Sequence, residues 1–240
     1  MRQRRLPLRL LLVAALLAAA PFVALVGIYQ SELSELGGLP SPPSRAALPR
    51  LTQLAVWAEA GERPAKFQVE PAWPWTPVLD LVLIRESHEH SRAGWIAADT
   101  VAGLWITRRG PVSAGPWHVR RMALTVWLSR HWTASQLTQS LADQLCFGRG
   151  ARGVRNASQA FFAKPVEALS PGELAVLAGL LRSPHRFNPD GHPIAALKRR
   201  NRLLRNWGET GLIAAQVAAS EAAKPLGMTA TQARCSDPRE

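Results

Sequence analysis

The residues of this chain best suited to chemistry are its cations. Arg149 and Arg152 lie in the glycine-rich stretch Phe147-Gly148-Arg149-Gly150-Ala151-Arg152-Gly153-Val154. Glycines let backbone amides approach a ligand closely, and guanidinium groups beside them suit a phosphate. Lys198, Arg199, Arg200, Arg202 and Arg205 form the most charged segment. At helical spacing they cannot all face one ligand, so most read as solvated or turned toward lipid headgroups. Acids are scarce by comparison: no glutamate lies between Glu89 and Glu167, and Asp99 and Asp143 are the carboxylates of that interval. His88-Glu89-His90 offers two imidazoles without a third ligand at helical spacing, so no metal site is read there. Cys146 and Cys235 are the only thiols. Two readings stay open for them: a disulfide tying the tail to the core, or two unpaired residues with Cys146 as a small buried hydrophobe.

These groups need a scaffold, and composition bounds it. The 240 residues carry 29 Lys+Arg against 17 Asp+Glu, a formal charge of +12, and 47% are hydrophobic with nine Trp. Such a chain can bury a core, which excludes general disorder; collagen-like, coiled-coil and disulfide-rich classes are excluded by the unperiodic Gly and Pro and the two cysteines. A basic chain could serve nucleic acid, an anionic membrane surface or a phosphorylated substrate. The N-terminus decides among them. Arg2, Arg4, Arg5 and Arg9 precede an uncharged run, Leu10 to Ile28, of mainly Leu, Ala and Val. As a helix it spans roughly 28 Å, the thickness of a bilayer's hydrocarbon. A cleaved signal peptide is the alternative, with Ala18-Ala19-Ala20 as the small-residue site and Pro21 beside it. The arginines before the span, and Glu32 and Glu35 after it, predict a cytoplasmic N-terminus with the rest across the membrane, so nucleic acid drops out as a partner.

Behind the anchor (10–28, with 1–9 as its basic cytoplasmic flank), residues 29–50 read as a Pro/Ser/Gly linker. A short helix is expected near Leu48 to Ala60. Pro64 to Pro77 holds four prolines with Trp73 and Trp75 and cannot be regular helix. Val78 to Ile84 is an apolar run of either helix or strand. Val119, Met122, Ala123, Val126 and Trp127 follow the helical spacing and predict one buried face. Thr133 with Gln136, and Ser170-Pro171-Gly172-Glu173, are capping boxes that open helices to about Leu145 and Arg182. Pro193 to Trp207 and Ala214 to Ala223 complete a mainly α domain over residues 51–227, followed by a polar tail, 228–240.

The same C-terminal half carries a family's motifs. Phe147 to Val154, Ala160-Phe161-Phe162-Ala163-Lys164-Pro165, Leu169 to Leu180, Ser183-Pro184, Phe187-Asn188-Pro189 and Arg199-Arg200-Asn201-Arg202-Leu203-Leu204 resemble, in colinear order, glycosyltransferase family 51, the peptidoglycan glycosyltransferases. The resemblance implies a lysozyme-like helical fold that polymerises lipid II, a disaccharide-pentapeptide on an undecaprenyl pyrophosphate. It also implies a carboxylate acting as general base on the acceptor's 4-hydroxyl, with basic side chains and a divalent cation, not permanently bound, helping the pyrophosphate to leave. On this reading Glu86 aligns with the catalytic glutamate, preceded by the apolar run and Arg85; as an ordinary solvated carboxylate it would instead pair with Arg85 or Arg92. Arg120 and Arg121 stand for the family's basic pair, and Arg149 and Lys164 for phosphate-binding groups.

Departures accompany the match. Ser87 replaces the family's Asp, no Gly-Ser-Thr with paired glutamines follows, and Glu86 stands 34 residues before Arg120, closer than in the family. The second glutamate is missing after Arg121, Ala134 and Leu141 stand at the Lys and Tyr positions of the next motif, and Asp143 at its Asn. The expectation is a divergent, inner-membrane peptidoglycan glycosyltransferase with weakened or altered catalysis. The alternative is a non-catalytic accessory protein binding lipid II, glycan or a cell-wall synthase.

Overall fold

The computed structural model describes residues 8–61, 67–78, 92–110 and 116–228. Among these residues the secondary structure is helical; the one extended pairing is an isolated bridge between Cys146 and Arg152. Helix α1 runs from Leu8 to Ser34, six residues beyond the apolar run, with Pro21 inside it. Its stretch Ala15–Ser34 is long and apolar enough to cross a membrane, and almost none of it is buried by the rest of the chain. The polar end is different. Glu32 meets Arg120 at 3.1 Å, Leu33 packs against the core, and Leu36, just past the helix, is buried in it. Leu48 is buried as well, so the Pro/Ser/Gly segment is fastened to the domain at both ends.

Helix α2, Arg50–Gly61, buries Ala55, Val56 and Trp57, and Trp57 meets the edge of Phe67 with ring centres 5.1 Å apart. Helix α3, Arg92–Arg108, was not delimited by the sequence because it lacks an acidic first turn and much of its buried face is alanine. Ala97, Ala98 and Ala102 let it approach its neighbours closely, and its largest interface is with α4, Trp117–His131. The buried face of α4 differs from the expected one. Val119 and Met122 are exposed, while Arg120, Ala123, Leu124, Val126 and Leu128 are buried. The physical reason is Arg120, whose ion pair with Glu32 turns a charged residue inward and its apolar neighbours out.

Local signals fared better. Thr133 caps α5, Ala134–Gln144, with the reciprocal Gln136 bond in place, and Ser170 does the same with Glu173 for α7, Pro171–Arg182. Between them α6, Val154–Phe162, follows a tight turn in which Gly153 has φ 87° and a Cβ would stand 3.1 Å from the Asp143 carbonyl oxygen. Helix α8, Pro193–Glu209, and α9, Ala215–Ala223, close the described chain. One core joins Trp57, Leu124, Leu137, Leu141, Phe147, Phe161, Leu177 and Leu180 across α2 and α4 to α7. A second joins Ala55, Leu174, Leu203, Leu204, Trp207 and Ala218 across α2, α7, α8 and α9. Each buried Leu or Phe among them contributes roughly 1.5–3 kcal/mol by leaving water. Helix α2 belongs to both clusters, which fixes its last turn against α7 and α8. Cys146 is disulfide-bonded; Cys235 lies outside the described residues.

Candidate functional site

A cavity of about 1470 Å³ opens where the last turn of α2 faces the end of α7 and the exposed side of α8. Its apolar floor includes Leu54, Leu203 and Trp207, and its walls carry Arg182, Arg186, Lys198, Arg199 and Arg202 around one carboxylate, Glu59. Glu59 stands four and three residues after the buried Ala55 and Val56, so the helical repeat carries it onto the inward side of α2. Its side chain is 8% exposed and contacts the guanidinium of Arg199, itself 17% exposed. Burial pushes the Glu59 carboxyl above the usual carboxylate range, against the opposing pull of Arg199 and Arg182. A shielded carboxylate with raised proton affinity is suited to take or give a proton, and the surrounding cations are suited to an anionic leaving group.

The site residues expected from sequence are distributed otherwise. Glu86, with Arg85, Ser87, His88, Glu89 and His90, lies outside the described residues. Arg120 and Arg121 sit side by side on α4 but face apart. Arg120 is buried against Glu32. Arg121 contacts Asp99 of α3, lies 5.1 Å over Trp117, and rests its guanidinium on Gly103. Thr125 Oγ donates to the other Asp99 oxygen at 3.4 Å, so a carboxylate does stand beside this basic pair, supplied by α3.

Arg149 is 2% exposed in its side chain. Its Nε donates to Asp190 at 2.7 Å, its Nη2 to the second Asp190 oxygen, and its Nη1 to the Ala160 carbonyl at 2.8 Å, with the guanidinium 4.4 Å over the Phe161 ring. Those bonds give Arg149 the work of closing the turn onto α6. Lys164 donates to Glu173, the same glutamate that completes the α7 cap. None of Arg120, Arg121, Arg149 and Lys164 lines the cavity. The basic run divides: Lys198, Arg199 and Arg202 face the cavity, whereas Arg200 is buried on the opposite side, donating to the carbonyls of Ala222, Lys224 and Pro225. The sequence signal for this buried acid is its register with Ala55 and Val56 on α2.

Residues 113–207 match the family model described as Transglycosylase. The chain carries a transglycosylase domain. Its fold is the mainly α, lysozyme-like one expected of that family. The matched residues run from just before α4 to Trp207 near the end of α8, taking in the α7 and α8 walls of the cavity and leaving Glu59 upstream. Penicillin-binding protein 1A of Aquifex aeolicus is 29% identical over 161 residues, 64% of this chain and 22% of that protein. Penicillin-binding protein 1A of Pseudomonas aeruginosa is 25% identical over 131 residues, 55% of this chain and 16% of its own length. The Mycobacterium tuberculosis protein of the same name is 36% identical over 91 residues, 38% of this chain and 11% of its own. The chain thus spans less than a quarter of each of these relatives. Among the described residues no group of three or more His, Cys, Asp or Glu comes together. A cavity whose one carboxylate is ion-paired among five cations does not fit a divalent metal, and no step below passes through one.

Proposed function

We propose that the transglycosylase domain transfers a glycosyl group from a lipid-linked pyrophosphoryl sugar of the lipid II class, with Glu86, the residue at the family's catalytic glutamate position, as the base. What supports this reading is the match of residues 113–207 to the Transglycosylase family model. Glu86 takes the proton of the acceptor hydroxyl, and the oxygen forms a bond to the anomeric carbon as the bond from that carbon to the pyrophosphate oxygen breaks. The pyrophosphate leaves with the electron pair, and basic side chains of the domain offset the charge it gains. Helix α1 serves as a single membrane anchor; the arginines before it favour a cytoplasmic N-terminus and a domain beyond the inner membrane. Lipid II, glycan strands and other cell-wall synthesis proteins are the partners this reading entails.

One observation favours a second reading. Glu59 is the single acid among the cavity's lining residues and is held by Arg199, which suits weakened catalysis or an accessory protein that binds lipid II or glycan without turning it over. The deciding experiment incubates the full chain, in detergent or lipid nanodiscs, with labelled lipid II and follows glycan polymer. Glu86→Gln is expected to abolish polymer, while Glu59→Gln leaves it. Polymer that survives Glu86→Gln and disappears in Glu59→Gln moves the base to Glu59. Saturable binding without polymer establishes the accessory reading.

A further inference from the structure

We infer that the segment Pro71 to Val78 is a second membrane contact, which lays Trp73 and Trp75 in the interfacial layer of the bilayer that α1 crosses. The inference rests on the reading of α1 as the anchor.

Pro71-Ala72-Trp73-Pro74-Trp75-Thr76-Pro77-Val78 carries no charge. Its two indoles stack, with ring centres 5.2 Å apart and planes 8° from parallel. Such a pair would ordinarily be buried, yet Trp73 is 48% exposed, and Val78 is exposed as well. The neighbour of the pair is the anchor itself: Trp75 meets the edge of Phe22 with ring centres 5.7 Å apart. Phe22 stands six residues before Ile28, the end of the apolar run, which places it roughly 9 Å below that end along the helix. Segments that lie in a membrane interface bury their apolar side chains to about 5–10 Å. Once α1 crosses a bilayer, an indole in contact with Phe22 lies at that depth.

The backbone suits the position. A polar group taken out of water must keep a partner. Pro71, Pro74 and Pro77 have no N–H to satisfy. The Ala72 amide donates to Ser129 Oγ at 3.0 Å, the Trp73 amide to the Thr76 hydroxyl at 2.9 Å, and the Thr76 amide to the Trp73 carbonyl at 2.9 Å. Ala72 is buried against α4, so the domain holds the segment in place.

At the polar end of α1 the side chains change character. The exposed Arg130 lies 3.9 Å over the Trp73 ring, a cation where lipid phosphates stand. Tyr29, one residue past Ile28, shares a pocket of about 390 Å³ with Trp127 and His131, whose rings stack 4.5 Å apart. Rings with one polar edge favour the headgroup level. Aromatic residues of α1, α4 and the 71–78 segment thus form one belt, and two membrane contacts instead of one set the height of the domain above the lipid.

The test places the full chain in vesicles of phosphatidylglycerol and phosphatidylethanolamine. Lipids brominated near the glycerol end of the acyl chain, or near the bilayer midplane, quench tryptophan emission at their own depth. Shallow bromines should quench the unmodified chain more than midplane bromines do. With Trp73→Phe and Trp75→Phe combined, the fraction quenched by shallow bromines should fall to less than half, whereas Trp117→Phe, at the other end of α4, should leave it unchanged. Circular dichroism checks that the double variant folds; if it does not, the two single variants carry the same comparison. An undiminished quenched fraction overturns the inference. Leu17→Trp in the double-variant background reads α1 alone, and a gain of midplane quenching is expected. That gain, with no shallow quenching of the unmodified chain, overturns the inference and leaves the anchor standing. No gain removes the anchor reading and the inference with it.

Discussion

Arg149→Ala separates two roles that the sequence alone leaves superposed, phosphate binding and closure of a turn. The substitution removes two charge-assisted bonds to Asp190, one to the Ala160 carbonyl and the contact with Phe161. Breaking a buried ion pair from one side costs about 3–5 kcal/mol. Asp190 is 34% exposed and can regain water, so the lower end applies, about 3 kcal/mol. For a chain of this size each kcal/mol lowers Tm by about 2–4 °C, giving a fall of about 6–12 °C. The backbone adds an internal control. Arg149 has φ 51°, a left-handed conformation that costs a non-glycine residue about 1 kcal/mol or more. Arg149→Gly lacks the same side chain yet relieves that strain, so it should melt above Arg149→Ala by about 1 kcal/mol's worth of Tm. The assay is thermal unfolding of the full chain followed by circular dichroism, alongside binding of labelled lipid II. A Tm unchanged in Arg149→Ala, with affinity for the pyrophosphate lipid lost, would falsify the structural assignment and restore the phosphate role.

Three further outcomes are expected. Burial works against ionisation of Glu221, but Lys224, the Ser170 hydroxyl and the Gly172 amide outweigh it and hold the carboxyl below the usual range. Its stabilising effect is present above the unfolded carboxylate range and lost as pH falls through the folded value, so Glu221→Gln should flatten the acid side of the stability curve; an unaltered acid side refutes this. Glu32→Gln should lower stability by about 2 kcal/mol, since the buried Arg120 guanidinium loses a charged acceptor, and Glu32→Asp should recover less than half. An equal Tm in the unmodified chain and Glu32→Gln shows the contact to be idle. Gly179→Ala should displace the Arg199 stem, because a Cβ there would stand 2.9 Å from Arg199 Cγ, and cost about 1–3 kcal/mol; an unchanged Tm argues against that seat.

What the sequence made legible was local. The caps at Thr133 and Ser170 were readable because donor and acceptor lie three residues apart, inside one turn. The motif order from Phe147 to Leu204 was readable for a related reason, since each motif is a short turn or helix start. The site depended on partners that no local pattern reveals. Glu59 gains its character from Arg199, 140 positions away. Arg149 sits in a Gly-rich turn of the kind that suits a phosphate, and the carboxylate the fold sets against it, Asp190, lies 41 positions on. The rotation of α4 that exposes Val119 and Met122 follows from Glu32, 88 positions before Arg120. A helical period finds a face but not its sign when one buried position is a paired arginine.

The end of α1 deserves a mechanical reading. A helix joined to its domain by a loose strap transmits neither torque nor height. Here Glu32 is ion-paired to α4, Leu33 packs on the core, and Phe22 meets the edge of Trp75. Helix and domain therefore move as handle and blade: turning α1 about its own axis swings α4 with it, and through the shared core the mouth of the cavity as well. Whatever grips that helix along its length sets the compass heading of the site.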